Sequence, residues 1–314
     1  MILVTGIKGG LAQRVAARLL GAGHDVVGVD YRKDLELASD ISHIPVYQAS
    51  YNKTAFEDVF RRHAFSTVLH LGRVGNLSET MGKRFDLNVL GSQKVMSLSA
   101  QHRVRTLVVL STFHIYGADA RNPTPISEEE PLRAGFEFPE IADAIQLDNM
   151  AWAWVYQHPE VRTTVLRPCN VIGPHIHNTM ATFLRMSRVP YVAGFNPMTQ
   201  FLHEDDLSGA ILSAISGTGR GVFNVAGRDM VPWRTALEMC SVRGFPLPAA
   251  LSRRLLSVVF HQPEYLVNFL KYPCIINDAA FRRTFGWRPL LTLDETLWTT
   301  VEDARKGVRR SEFG

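Results

Sequence analysis

No lysine occurs between Val95 and Leu270, and none of the chain's eight tyrosines is followed by a lysine four positions later. Whatever chemistry the middle of the chain performs is therefore done without lysine. Cysteine is scarce as well. Cys169, Cys240 and Cys274 have no metal-like spacing, which points to buried free thiols in a reducing compartment. There is no basic block. The net charge of +4 comes mainly from arginines such as Arg103, Arg105, Arg133, Arg162 and Arg167, spread along the chain, which argues against a nucleic-acid surface. Long hydrophobic runs are missing too. The most apolar region, Leu251–Leu270, is interrupted by Arg253, Arg254, His261, Pro263 and Glu264, so no membrane span is expected. Met1 leads straight into an apolar run, so no signal peptide is expected and the chain is placed in the cytoplasm.

What is present is an alternation of short apolar runs with helical patterns, the signature of a parallel sheet with crossover helices. Strands are expected at Ile2–Thr5, Val26–Val29, Pro45–Gln48, Thr67–Leu71, Thr106–Ser111, Thr163–Arg167 and Gly221–Ala226. They lack strict alternation, as strands covered on both faces do. Helices are expected at Leu11–Leu20, Asn88–Ala100 and Leu202–Ser216. Residues 168–200, punctuated by Pro, Gly and His, read as loops. The chain of 314 residues suits one large α/β domain with an appended lobe, the doubly wound parallel arrangement of a Rossmann fold.

The segment Thr5-Gly6-Ile7-Lys8-Gly9-Gly10-Leu11-Ala12 lies between the first strand and first helix. Gly6 permits a tight turn, Gly9 lets the backbone approach a pyrophosphate, and Ala12 is small enough for helix–strand contact. The free N–H groups at the helix start attract phosphate. Asp30 ends the second strand, where a carboxylate accepts from an adenosine ribose and disfavours a 2′-phosphate. NAD is therefore expected ahead of NADP, with Arg32 and Lys33 as cations that weaken the preference.

With these motifs in order, the chain resembles the extended short-chain dehydrogenase/reductase family, in its NAD-dependent sugar epimerase/dehydratase branch. The resemblance also rests on HLGR at 70–73, NVLGS at 88–92, STFHIYG at 111–117, LRPCNVIGP at 166–174, FLHEDDL at 201–207, FNVAG at 223–227 and FGWRP at 285–289. It implies a dinucleotide domain of residues 1–169 plus about 201–227, and a smaller C-terminal substrate lobe of about 170–200 plus 228–314. It implies cofactor contacts from Gly6, Lys8, Gly9, Gly10, Leu11, Asp30, Tyr31 and Arg32. Ser50 stands where the family carries an adenine-binding Asp. Leu71, Gly72, Arg73, Asn88, Leu110, Ser111 and Pro168 complete the cofactor set. Substrate contacts are implied for Arg73, Phe113, Asn170 and His203, with a nucleotide sugar as the substrate class. A homodimer is implied through Leu87–Gln101 and Ile141–Tyr156.

The family's catalytic Ser/Thr falls on Thr112, but its Tyr-x-x-x-Lys pair is absent. Aligned on Asp143 and Asp148, Glu140 stands at the Tyr position and Ala144 at the Lys position. Aligned on QLDN, the two are Ala142 and Gln146. In the resembled enzymes the Tyr moves the proton and the Lys favours its phenolate. General acid–base catalysis of this kind contributes roughly 10²–10⁴-fold, or about 3–5 kcal/mol. Thr112, Glu140 and His114 are the candidates for what remains of the chemistry, and Arg73 is a candidate for anion recognition. His175 and His177 lack a third ligand, so no metal is expected. Asp205 and Asp206 read as helix-capping acids. Three readings follow: an atypical epimerase or dehydratase with a rewired site, a silent dinucleotide-binding regulator or partner subunit, and a tailoring enzyme that uses the pocket without hydride transfer.

Overall fold

The computed structural model describes residues 1–33, 37–75, 79–252 and 265–312. Residues 253–264 of the expected apolar stretch lie outside the described residues. Strands β1 (Ile2–Thr5), β2 (Val26–Asp30), β3 (Val46–Gln48), β4 (Thr67–His70), β5 (Thr106–Leu110) and β6 (Arg162–Pro168) come first. They are followed by β7 (Asn170–Ile172), β8 (Arg188–Val192) and β9 (Met198–His203), then β10 (Gly221–Val225), β11 (Met230–Pro232) and β12 (Arg243–Leu247). One seven-stranded sheet runs in the order β10-β6-β5-β4-β1-β2-β3 with all pairs parallel. β1 lies between β4 and β2, so the strand order reverses there. That reversal opens a crevice at the carboxyl ends of the strands, where ligands of open α/β sheets bind.

Helices α1 (Gly10–Gly21), α2 (Thr54–Arg62), α3 (Met81–Phe85), α4 (Gly91–Gln101), α5 (Ala134–Glu137) and α6 (Ala142–Gln157) accompany the first six strands. A π-helical turn, Asp86–Leu90, joins α3 to α4. α1 buries Ala12, Val15, Ala16 and Leu19, a stripe at helical spacing. With α8 (Glu204–Ser216), which follows α7 (Thr179–Arg185), it covers the face of the sheet that carries Ile2 and Val4. The opposite face, carrying Leu3 and Val27, is covered by α2, α4 and α6 through Val59, Val95, Met96, Leu147 and Ala151. Alternate residues of β1 thus feed opposite layers, as strand geometry requires. Each such side chain, fully buried, contributes about 1.5–3 kcal/mol.

The remaining elements are α9 (Trp233–Met239), α10 (Leu266–Phe269), α11 (Ala279–Phe285) and α12 (Leu293–Glu312). A separate core joins Ile172, Phe183, Leu184, Trp233, Leu237 and Leu297. Two expectations need correction here. Residues 168–200 are not a run of loops: they contain β7, α7, β8 and the start of β9. The helix expected from Leu202 begins at Glu204, because Leu202 and His203 pair in β9 with Val171 and Ile172. Among the described residues no helix is long and apolar enough to cross a membrane.

Candidate active site

The Gly-rich turn is shaped by close backbone approach. Gly6 has φ +71°, and a Cβ there would stand 2.4 Å from the Gly72 Cα, so β1 and the end of β4 meet without side chains. Gly9 is the N-cap of α1, with no side-chain cap and no acid in the first turn. The helix start is left to an outside acceptor. Gly10 faces the loop after β7, and a Cβ there would collide with the His175 carbonyl at 2.2 Å. This glycine therefore serves chain packing.

Asp30 is fully buried and already engaged. Its Oδ2 accepts from the Lys8 N–H at 3.0 Å and Arg32 Nη2 at 2.9 Å. Its Oδ1 accepts from the Arg32 N–H at 3.0 Å and Nε at 2.9 Å. Arg32 thus lies over the carboxylate expected to meet a ribose. The Lys8 ammonium donates to the carbonyls of Arg32 and Lys33. Behind the turn, Thr5 Oγ1 meets His70 Nδ1 at 2.8 Å, and His70 Nε2 meets Ser92 Oγ at 2.7 Å. Burial pushes His70 down to about 4, so it stays neutral in this chain of hydrogen bonds.

The register of α6 is set by a buried ion pair. Asp148 Oδ1 accepts from Ser111 Oγ at 2.6 Å and Arg167 Nε at 3.0 Å, and Oδ2 pairs with Arg167 Nη2 at 2.5 Å. Arg167 also donates to Tyr116 Oη at 2.8 Å, which donates to Asn224. Ser111 after β5, Asp148 on α6 and Arg167 on β6 are thereby tied together. Four and eight residues before Asp148, Ala144 and Glu140 face the cavity, while Ala142 and Gln146 are exposed. Geometry thus favours the first of the two registers.

The cavity has a volume of about 1260 Å³. Its walls include Leu11, Arg73, Leu110, Ser111, Thr112, His114, Glu140, Asp143, Ala144, Pro168, Asn170 and Tyr265. Of the expected residues, Asn88 is buried behind the wall. It brackets Val74 through N–H and C=O and donates to Asp143 Oδ2 at 2.5 Å. Gly6, Gly9, Gly10, Asp30, Leu71 and Gly72 frame the turn beside the cavity rather than line it. Lys8, Tyr31, Arg32 and Ser50 also lie off its wall.

Two expected substrate contacts are placed elsewhere. Phe113 is buried in the core, 4.4 Å from the His114 ring and 5.7 Å from Phe269. His203 is buried as the N-cap of α8, its Nδ1 accepting from the Asp205 N–H at 3.1 Å. That also corrects the capping expected of Asp205 and Asp206. Asp205 pairs with Arg14, and Asp206 accepts the N–H groups of Leu290 and Leu291, fastening the FGWRP segment. Asn170 reaches the wall but gives its Nδ2 to the Gln200 carbonyl. Among the described residues no group of three or more His, Cys, Asp or Glu could hold a metal.

Thr112 Oγ1 and His114 Nδ1 are 3.0 Å apart. Burial, with Arg73 adding to it, pushes His114 down to about 3. The downward shift makes His114 a weak base, and its ring nitrogen is placed to orient the Thr112 hydroxyl. The sequence reading missed Arg84, Asp143 as a wall residue, and Tyr265. Arg84 donates to the Glu140 carbonyl and Met81 Sδ and lies 3.6 Å from Asp143. Arg84 Nε, Asp143 Oδ1 and Glu140 Oε2 are buried without a hydrogen-bond partner, Asp143 Oδ1 having only the 3.6 Å ion pair with Arg84. Such atoms at a cavity wall mark a place where polar groups are kept for a ligand.

A doubly wound sheet with a Gly-rich turn at its switch point and a cavity beyond the strand ends defines a dinucleotide-fold protein. Comparison with known proteins makes the class specific. The chain belongs to the NAD dependent epimerase/dehydratase family, whose sequence profile matches residues 2–226. An uncharacterized protein of Mycobacterium tuberculosis is 25% identical over 315 residues, covering 96% of this chain and 81% of that one. UDP-glucose 4-epimerase of Dictyostelium discoideum is 24% identical, covering 92% and 96%. Among solved structures, MoeE5 in complex with UDP-glucuronic acid and NAD superposes with a TM-score of 0.78 at 21% identity, covering 98% of this chain and 99% of that one.

Proposed function

We propose that the chain binds NAD and uses it to oxidise and re-reduce a carbon of a nucleotide sugar, as an epimerase or dehydratase with a rearranged acid–base site. The observation that carries this reading is the single cavity wall shared by Leu11 of α1, Thr112 after β5 and Asn170 of β7. Its volume of about 1260 Å³ exceeds the usual small-molecule pocket of roughly 300–1,000 Å³ and leaves room for one end of a dinucleotide, reaching in from the Gly-rich turn, beside a sugar. The relatives named above as UDP-glucose 4-epimerase and as a complex with UDP-glucuronic acid and NAD support the same pairing.

The residues fit a dinucleotide. The uncapped start of α1 and the side-chain-free contact of Gly6 with Gly72 would receive its pyrophosphate. Asp30 and Arg32 would meet the adenosine ribose. A bound dinucleotide would supply the hydride acceptor. Thr112 would hold the reacting oxygen of the sugar by a hydrogen bond, fixed in direction by His114. Asp143 and Glu140 would meet sugar hydroxyls from α6 and the turn before it.

Calorimetric titration with NAD, followed by incubation with UDP-glucose or UDP-glucuronate and NAD and proton NMR of the products, tests the reading. Micromolar binding with slow conversion of at least one sugar is expected. Binding without conversion would favour the silent regulator, which the alanine at position 144 also suits. A second copy is proposed as partner: Phe85, Leu90 and Tyr156 expose 42%, 40% and 72% of their surfaces on the linked helices α3–α4 and on α6. Sedimentation of the full chain decides that.

A further inference from the structure

Tyr265 carries no sequence motif, yet it closes the cavity from the far end of the chain, one residue before α10. Its ring is buried in an aromatic box of Phe138 at 5.8 Å, His114 at 6.0 Å and Phe269 at 6.0 Å. The box fixes the ring, while the phenol oxygen makes no hydrogen bond to any described residue. The charged groups that act on it come from three places: Arg73 after β4, Arg84 on α3, and Glu140 and Asp143 at the start of α6. Arg84 and Asp143 are held by each other, by the Glu140 carbonyl and by Asn88. The Arg73 guanidinium has no hydrogen-bond or ion-pair partner among the described residues, although it lies in the wall of the cavity.

We infer that Tyr265 is the acid–base residue of this cavity and that Arg73 is the cation that stabilises its phenolate. This rests on the hydride-transfer reading above. The pair would replace the phenol and ammonium that the resembled enzymes carry on one helix. Here that helix face offers Glu140 and Ala144, and the short side chain of Ala144 leaves the space in front of α6 to groups from other elements. Chemistry separates the candidates on the wall. An ordinary phenolate is a stronger base than an ordinary carboxylate by about six pH units, and a sugar hydroxyl demands the stronger base. His114 is held down to about 3 and is weaker still. Burial pushes Tyr265 up to about 12, with Arg73 and then Arg84 pulling it back, so a nearby cation is the lever that brings it into use. The neighbouring rings of His114 and Tyr265 set the phenol on the same wall as the Thr112 hydroxyl.

The Tyr265 phenolate would take the proton of the substrate hydroxyl, and a bound oxidised nicotinamide dinucleotide would supply the acceptor for the electron pair of the adjacent C–H bond, leaving as hydride. The O–H and C–H bonds would break, a C=O bond would form, the phenolate would become a phenol, and the two electrons would go to the dinucleotide. Return of the hydride to the carbonyl carbon, with the proton handed back by Tyr265, restores every group.

The test uses the full chain with NAD, and UDP-glucose and UDP-glucuronate as probes. Tyr265→Phe should lower kcat at least about hundredfold, within the range of acid–base catalysis, while calorimetric NAD affinity stays unchanged. Arg73→Met should move the acid limb of the kcat–pH profile to higher pH, and Arg73→Lys should move it part of the way back. Ultraviolet tyrosinate titration of wild type minus Tyr265→Phe reads the phenol directly, and Arg73→Met should raise its midpoint. Full activity in Tyr265→Phe, or an unmoved midpoint in Arg73→Met, overturns the inference. A wild-type chain that binds NAD but converts neither probe contradicts the hydride reading instead, and the titration then decides the pair by itself.

Discussion

The two sides of the cavity are built to opposite rules. On the side of the Gly-rich turn, the charged and histidine groups are paired within the protein: Asp30 receives four N–H donors and His70 bridges Thr5 and Ser92, while Tyr51 Oη is buried there without a hydrogen-bond partner. On the side of α6, Arg84 Nε, Asp143 Oδ1 and Glu140 Oε2 are buried without hydrogen-bond partners, and Arg73 stands unpaired among the described residues. Paired groups hold a shape. Unpaired ones are costly to folding and persist where a ligand uses them. The first side, the cradle, is therefore shaped in advance, and the second carries the groups to which the proposed function assigns substrate and proton chemistry.

The largest effect is expected where α6 is tied to β5 and β6 of the sheet. Asp148→Ala leaves the Arg167 guanidinium buried and uncompensated, which costs about 3–5 kcal/mol. Urea unfolding should show that loss, and a change near zero would separate α6 from the sheet. Next comes pH. Burial holds His70 at about 4 and His114 at about 3, against 6.5 for the free group. The unfolded chain takes up these protons first, so their contribution is complete above pH 6.5 and is lost as pH falls toward the folded values. His70 alone should account for about 3 kcal/mol, read by unfolding at descending pH. A flat profile across that window would mean that the cradle's histidine is not held neutral.

Gly6→Ala places a Cβ against the Gly72 backbone at positive φ, at a cost of at least about 2 kcal/mol and with loss of NAD binding. Retained binding would show that the cradle tolerates a side chain. The smallest effect belongs to Arg32→Ala. It frees both Asp30 oxygens, so NAD affinity should change by only a few-fold, while NADP should be rejected more strongly. A gain in NADP affinity would reverse the role given to Arg32.

The cradle was legible in the sequence because it is local. The turn at Gly6–Ala12 and the acid at position 30 sit within one strand–helix–strand unit, whose spacing reports its geometry. The reactive wall is assembled from β4, α3, α6 and α10, separated by up to nearly two hundred residues, and no spacing rule joins Arg73 to Tyr265. Thr112 and Glu140 were reached only through the resemblance. His203 was misread because a histidine in a strand-to-helix junction has two uses, and the hydrogen bond to the Asp205 N–H selects the cap. The loops expected in residues 168–200 were misread for a similar reason. Short strands such as Asn170–Ile172 gain order from distant partners rather than from their own pattern.

The most direct measurement is a single turnover with enzyme and NAD in excess over UDP-glucose or UDP-glucuronate, followed in the absorption band of the reduced nicotinamide. The account predicts that reduced nicotinamide forms with at least one sugar, forms more slowly in Thr112→Ala, and is lost in Tyr265→Phe. An NAD-loaded protein that forms none with either sugar would contradict it, leaving a cradle without chemistry.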